Sequence, residues 1–389
     1  MDKKLQAIDH EYVANTYGRF PVEIVSGKGA IAKDETGKEY IDMGAGIGVT
    51  SFGYCDDVWK AAVIAQLDKV QHTSNLYYTE PCALLAQKLC QKTGMKKVFF
   101  GNSGAEANEC AIKVARKYAA EKKGPDHYTI LTLWNSFHGR TLTTLAATGQ
   151  DHYHELFQPL TPGFHMVHAG DFEEFRKACE DLKAAGILLE CIQGEGGVCD
   201  VPADYIKAVA AYCKEHDIVL MIDEVQTGNG RTGKLYAYMH YGIEPDVVST
   251  AKGIGGGLPL GACLMGEKVQ HVLGAGDHGS TFGGNPIACA GAISIIDRLD
   301  DKFLAEVEAK GAKARAAFTG AKGIEGVSGK GLMFGLKTTK PAGDVVKACI
   351  DKGVLCLTAK DKVRLLPPLN IPEEVLMKAV SIIKEVCAE

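Results

Sequence analysis

Three short stretches place unusual side chains where an apolar run ends. In "VVSTAKGIGGGLPLGACLMG", residues 247–266, Lys252 closes a run of apolar and small residues and opens a glycine-rich loop. An amine at the end of a buried strand loses hydration, which favours its neutral form, and a neutral amine can attack a carbonyl. The commoner alternative is an ordinary lysine in an ion pair. In "VLMIDEVQTG", Asp223 and Glu224 follow four apolar residues, so at least one carboxylate stands at the rim of a buried sheet. Buried acids need a partner, and an arginine, a metal or a protonated ring nitrogen would serve. In "FFGNSGAEANE", Ser103, Gly104 and Ala105 lie between a β-like run and a helical one. Small residues let the backbone close on a ligand, and a helix start offers free N–H groups and a positive dipole end to a phosphate. A plain N-cap, Ser103 with Glu106 three residues on, explains the same residues.

The elements that must carry these residues are legible between about residues 94 and 266. "KKVFF", "YTILTLWN", "GILLECIQ", "DIVLMIDEV" and "DVVSTAK" read as short strands, with helical periods between several of them. In "SGAEANECAIKVARKYAAEK" the apolar residues Ala107, Cys110, Ala111, Val114, Ala115 and Tyr118 recur at helical spacing. This is the βαβ rhythm of an α/β fold with a mainly parallel sheet covered on both faces. In such sheets ligands gather at the carboxyl ends of the strands. The last hundred residues read as a smaller α+β unit, with helices around "NPIACAGAISIIDRL", "FLAEVEAKGAKARAAF" and "PEEVLMKAVSIIKEVC" and strands at "GLMFGLK" and "VRLLP".

Taken together, a phosphate cradle, a carboxylate and a reactive amine on neighbouring strands are what pyridoxal phosphate (PLP) requires. Lys252 would hold the aldehyde as a Schiff base, and Asp223 would keep the pyridine nitrogen protonated. The protonated ring is then an electron sink for a carbanion at the substrate carbon. Phe137, in "SFHGRT", and Val225 could stack on its two faces.

The segments "NSGAEANE", "FHGRT", "QGEGGV", "DEVQTGNGRTG", "AKGIGGGLPLGA" and "GSTFGGNP" resemble the class III aminotransferases, fold-type I PLP enzymes. The resemblance runs from about Tyr17 to the end of the chain, and "NTYGRFPV" and "HTSNLYYTEP" resemble the acetylornithine aminotransferase branch. It implies a large domain with a mainly parallel seven-stranded sheet, over residues 49–287. It also implies a segment over 1–48 that packs with a small α+β domain over 288–389. It implies Lys252 as the catalytic lysine and Asp223 as partner of the ring nitrogen. Cofactor contacts would come from Ser103, Gly104, Ala105, Phe137, Glu224, Val225 and Gln226, the last at the ring's phenolic oxygen. Ser280 and Thr281 would reach in from the second subunit of a homodimer, Thr281 to the phosphate. Arg364 would take the α-carboxylate of 2-oxoglutarate or glutamate. Arg140 would take the distal carboxylate, or the α-carboxylate of the amino donor. Glu195 would pair with Arg364 while the donor is bound. The reaction implied is ping-pong transfer of the terminal amine of N-acetylornithine to 2-oxoglutarate, with ornithine, 4-aminobutyrate, succinylornithine or succinyl-diaminopimelate as alternative donors. Two positions depart from the class: Cys191 stands where proline is common, and Asn229 where methionine is frequent.

Composition removes other classes. The chain has 389 residues, 43 basic against 48 acidic, and no dense basic block of the kind that tracks nucleic acid. No apolar run approaches membrane-spanning length, and the amino terminus has no signal-peptide core. Thirteen cysteines without a CxxC pair read as reduced thiols, and the expected compartment is the cytoplasm. "GNGRTGKL" has P-loop spacing but ends in Leu235 where a hydroxyl should hold magnesium, and "GAGDHG" lacks the strand before and helix after that a dinucleotide site needs. His152 and His154 have no further ligands at suitable spacing, so no metal is expected.

Overall fold

The structure, a computed structural model, describes residues 3–389. All five runs read as strands lie in one seven-stranded sheet. Its spatial order is Lys97–Gly101, Gly261–Met265, Val247–Thr250, Val219–Asp223, Ala184–Leu189, Thr129–Leu133 and Phe164–Val167. Only Gly261–Met265 runs against the others. The central strands are buried along their whole length, as a sheet covered on both faces demands. The helix Gly104–Lys123 packs on this sheet through the face anticipated from its spacing, Ala107, Cys110, Ala111, Val114, Ala115 and Tyr118. Its small side chains allow close approach.

Parallel strands bring their carboxyl ends to one edge. Asp223 is in register with Ser249, so Lys252, three residues further, rises from the same edge. The strand Lys97–Gly101 ends there too and turns through Ser103 into the helix Gly104–Lys123.

Two smaller sheets complete the fold. One joins Ile24–Lys28, Ile31–Asp34 and Glu39–Asp42 to Val354–Leu355, so the amino-terminal segment pairs with the carboxyl-terminal region. The other is antiparallel, in the order Ile324–Ser328, Phe334–Thr338, Lys362–Leu365, Leu357–Ala359, and it carries Arg364. The boundary expected between 287 and 288 falls inside the helix Pro286–Ile296. That helix packs on Asp57–Leu67 and Glu80–Thr93 and buries Ala288, Cys289, Ala292, Ile295 and Ile296. All thirteen cysteines are unpaired, most of them buried. Among the described residues no helix is long and apolar enough to cross a membrane.

Candidate active site

At the carboxyl edge of the large sheet lies a cavity of about 160 Å³, with Asp223 and Lys252 both in its lining. A larger groove opens around Lys207, Asp246 and Lys268, but it holds none of these groups. Asp223 is only 3% exposed. Its Oδ2 accepts from Asn108 Nδ2 and from His138 Nδ1, each at 2.8 Å, and its Oδ1 accepts from the Val225 amide at 2.9 Å. A carboxylate has about four acceptor sites, so the carboxylate keeps capacity for one more donor at the cavity. Asn108 is itself fixed, taking Ser249 Oγ at 2.5 Å and donating to the His138 carbonyl.

Lys252 opens a 3₁₀ turn, with φ +51°, in the left-handed region that a side chain adopts only at some cost. Its neighbours are tied down on both sides. Asn229 Nδ2 donates to the Ala251 carbonyl at 3.1 Å and to Thr250 Oγ1 at 3.0 Å, and Ser51 Oγ donates to the Gly253 carbonyl. Enclosure by protein pulls the amine below the ordinary lysine range; Glu195 opposes this and Arg364 reinforces it.

Gly104 and Ala105 line the cavity at the helix start, facing Val225. A Cβ on Gly104 would lie 2.7 Å from Val225 Cγ1, so only glycine fits this approach. Phe137 lines the cavity as well. Its amide is held by Glu190, whose other oxygen accepts from the Gly194 amide; burial lifts the Glu190 carboxyl to about 7.

The two arginines differ in state. Arg364, 3% exposed, donates from Nη1 to Glu195 Oε1 at 2.5 Å and to Gln226 Oε1 at 3.1 Å, and Gln226 Nε2 donates back to Glu195. Burial pushes the Glu195 carboxyl up, but the Arg364 charge and hydrogen bond outweigh it and hold the group below its usual range. Arg140 is exposed and makes no ion pair among the described residues; its guanidinium lies over the rings of Tyr153 and Phe137.

The chain matches the family Aminotransferase class-III over residues 12–387. It is a class-III aminotransferase. The acetylornithine aminotransferase of Haemophilus ducreyi is 48% identical over 388 residues, 99% of each chain. That of Methanocaldococcus jannaschii is 43% identical over 388 residues, 98% of this chain and 97% of the other. Among solved structures, the ornithine aminotransferase of Toxoplasma gondii, described with PLP at partial occupancy in its active site, superposes with a TM-score of 0.95 at 32% identity, over 100% of this chain and 94% of the other. The N-acetylornithine aminotransferase of Stenotrophomonas maltophilia does so with a TM-score of 0.84 at 34% identity, over 98% of each.

Of the anticipated site residues, this aminotransferase gathers Gly104, Ala105, Phe137, Glu195, Asp223, Val225, Gln226 and Lys252 around one cavity, with Arg364 bonded to two of them. Glu224 departs from expectation. It turns into the protein, accepting from Thr227 Oγ1 at 2.6 Å and the Tyr238 amide at 2.8 Å, and burial lifts its carboxyl to about 7. Alternation along an extended chain explains this, since neighbours of Asp223 face the other way. Ser103 is the N-cap, accepting from the Glu106 amide, and its hydroxyl does not line the cavity. Ser280 and Thr281 lie outside their own chain's cavity; Ser280 Oγ accepts from Asn102 and from the Gly283 amide.

Asn108, His138 and Glu190 were not anticipated. Asn108 is a polar residue amid the apolar face of its helix, one turn after Gly104, which is a readable signal. His138 follows Phe137, and its Nε2 is buried with no partner among the described residues. The departure at Asn229 has a structural use, the clamp on Ala251, whereas Cys191 is a buried thiol without a polar contact to the site. The stretch "GNGRTGKL" is a run of turns and bends with Arg231 bonded to the Leu332 carbonyl, and "GAGDHG" runs into bends and turns before the helix Pro286–Ile296. His154 is bonded to the Leu145 carbonyl, and no metal cluster exists among the described residues.

Proposed function

We propose that this aminotransferase moves the terminal amino group of N-acetylornithine to 2-oxoglutarate with PLP as its cofactor, giving N-acetylglutamate 5-semialdehyde and glutamate in arginine biosynthesis. The observation that carries this reading is the opposite state of the two arginines: Arg364 covered by Glu195, Arg140 without an ion pair among the described residues.

The residues present fit PLP. Asp223 has one acceptor site left at the cavity, Lys252 is shifted toward its neutral form, and Gly104 opens space that a methyl group would fill. When bound, PLP supplies the aldehyde that takes up amines and a protonated ring that withdraws electrons from the reacting carbon. Asp223 would hold its ring nitrogen, Gln226 its phenolic oxygen, the amides of Gly104 and Ala105 its phosphate, and Phe137 and Val225 its faces. Lys252 Nζ would be the base that takes the proton from the donor's amine-bearing carbon. His138 and Asn108 keep the Asp223 carboxylate from turning.

With Arg364 covered, one guanidinium is on offer. A donor with a single carboxylate then anchors at Arg140 and extends its far amine toward Lys252. 2-Oxoglutarate, anionic at both ends, competes Glu195 away from Arg364 and uses both forks. The relatives' identity favours N-acetylornithine. Ornithine, through its δ-amine, is the second reading, favoured by the structural likeness to ornithine aminotransferase.

A homodimer with a shared site is part of this reading. Asn75 Nδ2 donates to the carbonyls of Ser280 and Gly283, joining two loops on which Leu76, Tyr77, Tyr78 and Phe282 stay exposed. An apolar patch of this kind suits a second copy, which would receive Thr281 and Ser280 at its cavity. Unpaired cysteines suit the reducing cytoplasm.

The test is glutamate formation from 2-oxoglutarate with N-acetylornithine, ornithine and 4-aminobutyrate in turn. The highest kcat/KM is expected with N-acetylornithine. A better rate with another donor discards the pathway, and no glutamate from any donor discards the reaction.

A further inference from the structure

We propose that Tyr153 is a positioning residue for substrate carboxylates, acting through Arg140 by holding that guanidinium over its ring. The proposal rests on the reading of Arg140 given above. Arg140 is exposed and has no ion pair among the described residues. Glu109, on the neighbouring helix, is engaged instead by Thr141 Oγ1 at 2.7 Å. What Arg140 does have is aromatic: its Cζ lies 4.9 Å from the Tyr153 ring centre and 5.5 Å from that of Phe137. The two rings meet edge to face, 5.7 Å apart at 69°. A guanidinium over a ring face keeps its N–H edges free, so this contact orients Arg140 without using the donors that a carboxylate needs.

Tyr153 is built into the wall that carries Phe137. It ends a short 3₁₀ turn, Asp151–Tyr153, whose approach is laced to residues 135–138. The Gly149 carbonyl takes the Asn135 amide, Ser136 Oγ takes the Gly149 amide, Gln150 Nε2 donates to the Ser136 carbonyl, and Thr148 Oγ1 takes the His138 amide. Ring and guanidinium therefore share one frame with the ring-stacking candidate Phe137. The Tyr153 hydroxyl makes no hydrogen bond among the described residues, so the ring alone carries the role.

A double-mutant cycle in the PLP-loaded enzyme tests this, with N-acetylornithine and 2-oxoglutarate as substrates. Tyr153→Leu is expected to raise KM for both by about two- to fivefold, the range of an exposed cation–π contact, with kcat unchanged. Tyr153→Phe restores wild-type KM. In an Arg140→Leu background, Tyr153→Leu changes kcat/KM by less than about twofold, because the contact it served is already gone. Equal losses from Tyr153→Leu in both backgrounds, or a fall in kcat with KM unchanged, would overturn the proposal. A wild-type enzyme that transfers no amine from N-acetylornithine would instead reject the function on which it rests.

Discussion

Glu195 Oε1 lies 2.5 Å from Arg364 Nη1, and Gln226 bonds to both partners. The pair makes Arg364 unavailable until an anion displaces the glutamate. With Glu195→Ala, Arg364 stays open throughout the cycle and captures α-carboxylates at the wrong moment. Breaking a buried charge pair is worth about 2–5 kcal/mol. The ratio of kcat/KM for N-acetylornithine over that for glutamate should therefore fall at least about tenfold. An unchanged ratio in steady-state assays counts against the switch.

Lys252 is the base in this account, and its amine is held below the ordinary lysine range by its enclosure. Lys252→Ala should lower kcat by about 10²–10⁴, the usual worth of a positioned general base. In the wild type, the neutral amine becomes available as pH rises through a depressed pKa. The limb of kcat, which reports groups in the enzyme–substrate complex where this amine is free, should thus level off at a pH below the lysine range, and a limb still climbing at pH 10 would contradict the shift.

Gly104 and Val225 are set too close for any side chain between them. Gly104→Ala forces a methyl to 2.7 Å from Val225 Cγ1. Overpacking costs about 1–3 kcal/mol, which predicts a cofactor Kd raised by about five- to a hundredfold. Val225→Ala in the same chain should recover much of the loss, as read by cofactor titration. Failure of the rescue would place the strain elsewhere.

Glu224 sits in the fold as a buried acid whose carboxylate is held by Thr227 and the Tyr238 amide, and burial raises it to about 7. A raised carboxyl favours folding below its unfolded pKa of about 4.3, and this contribution is lost as pH rises through the folded value. Ionised Glu224 therefore costs about 4 kcal/mol at pH 8 relative to acid. Glu224→Gln should narrow the drop in Tm between pH 5 and pH 8, with turnover little changed. A larger drop in the variant would contradict this assignment.

The strands that sequence alone made visible are the apolar, β-branched ones, such as Val219–Asp223 and Val247–Thr250. Gly261–Met265 escaped because "GACLM" has little β preference, and Phe164–Val167 because an edge strand with His165 exposed lacks a continuous apolar run. Lys252 and Asp223 were legible for the same reason that they are costly: charge at the end of a buried run. His138, Asn108 and Glu190 act through contacts 30 to 115 residues away in the chain, which no local pattern encodes. Asp223 and Glu224 were alike in sequence, and only the direction of each side chain from the strand end separates them.

The most direct measurement is the cofactor's visible absorbance in the purified PLP-loaded enzyme as N-acetylornithine is added without any keto acid. Loss of the band, at lower concentrations than ornithine or 4-aminobutyrate require, followed by its return on adding 2-oxoglutarate, is the predicted result. A band that N-acetylornithine leaves untouched would contradict the account.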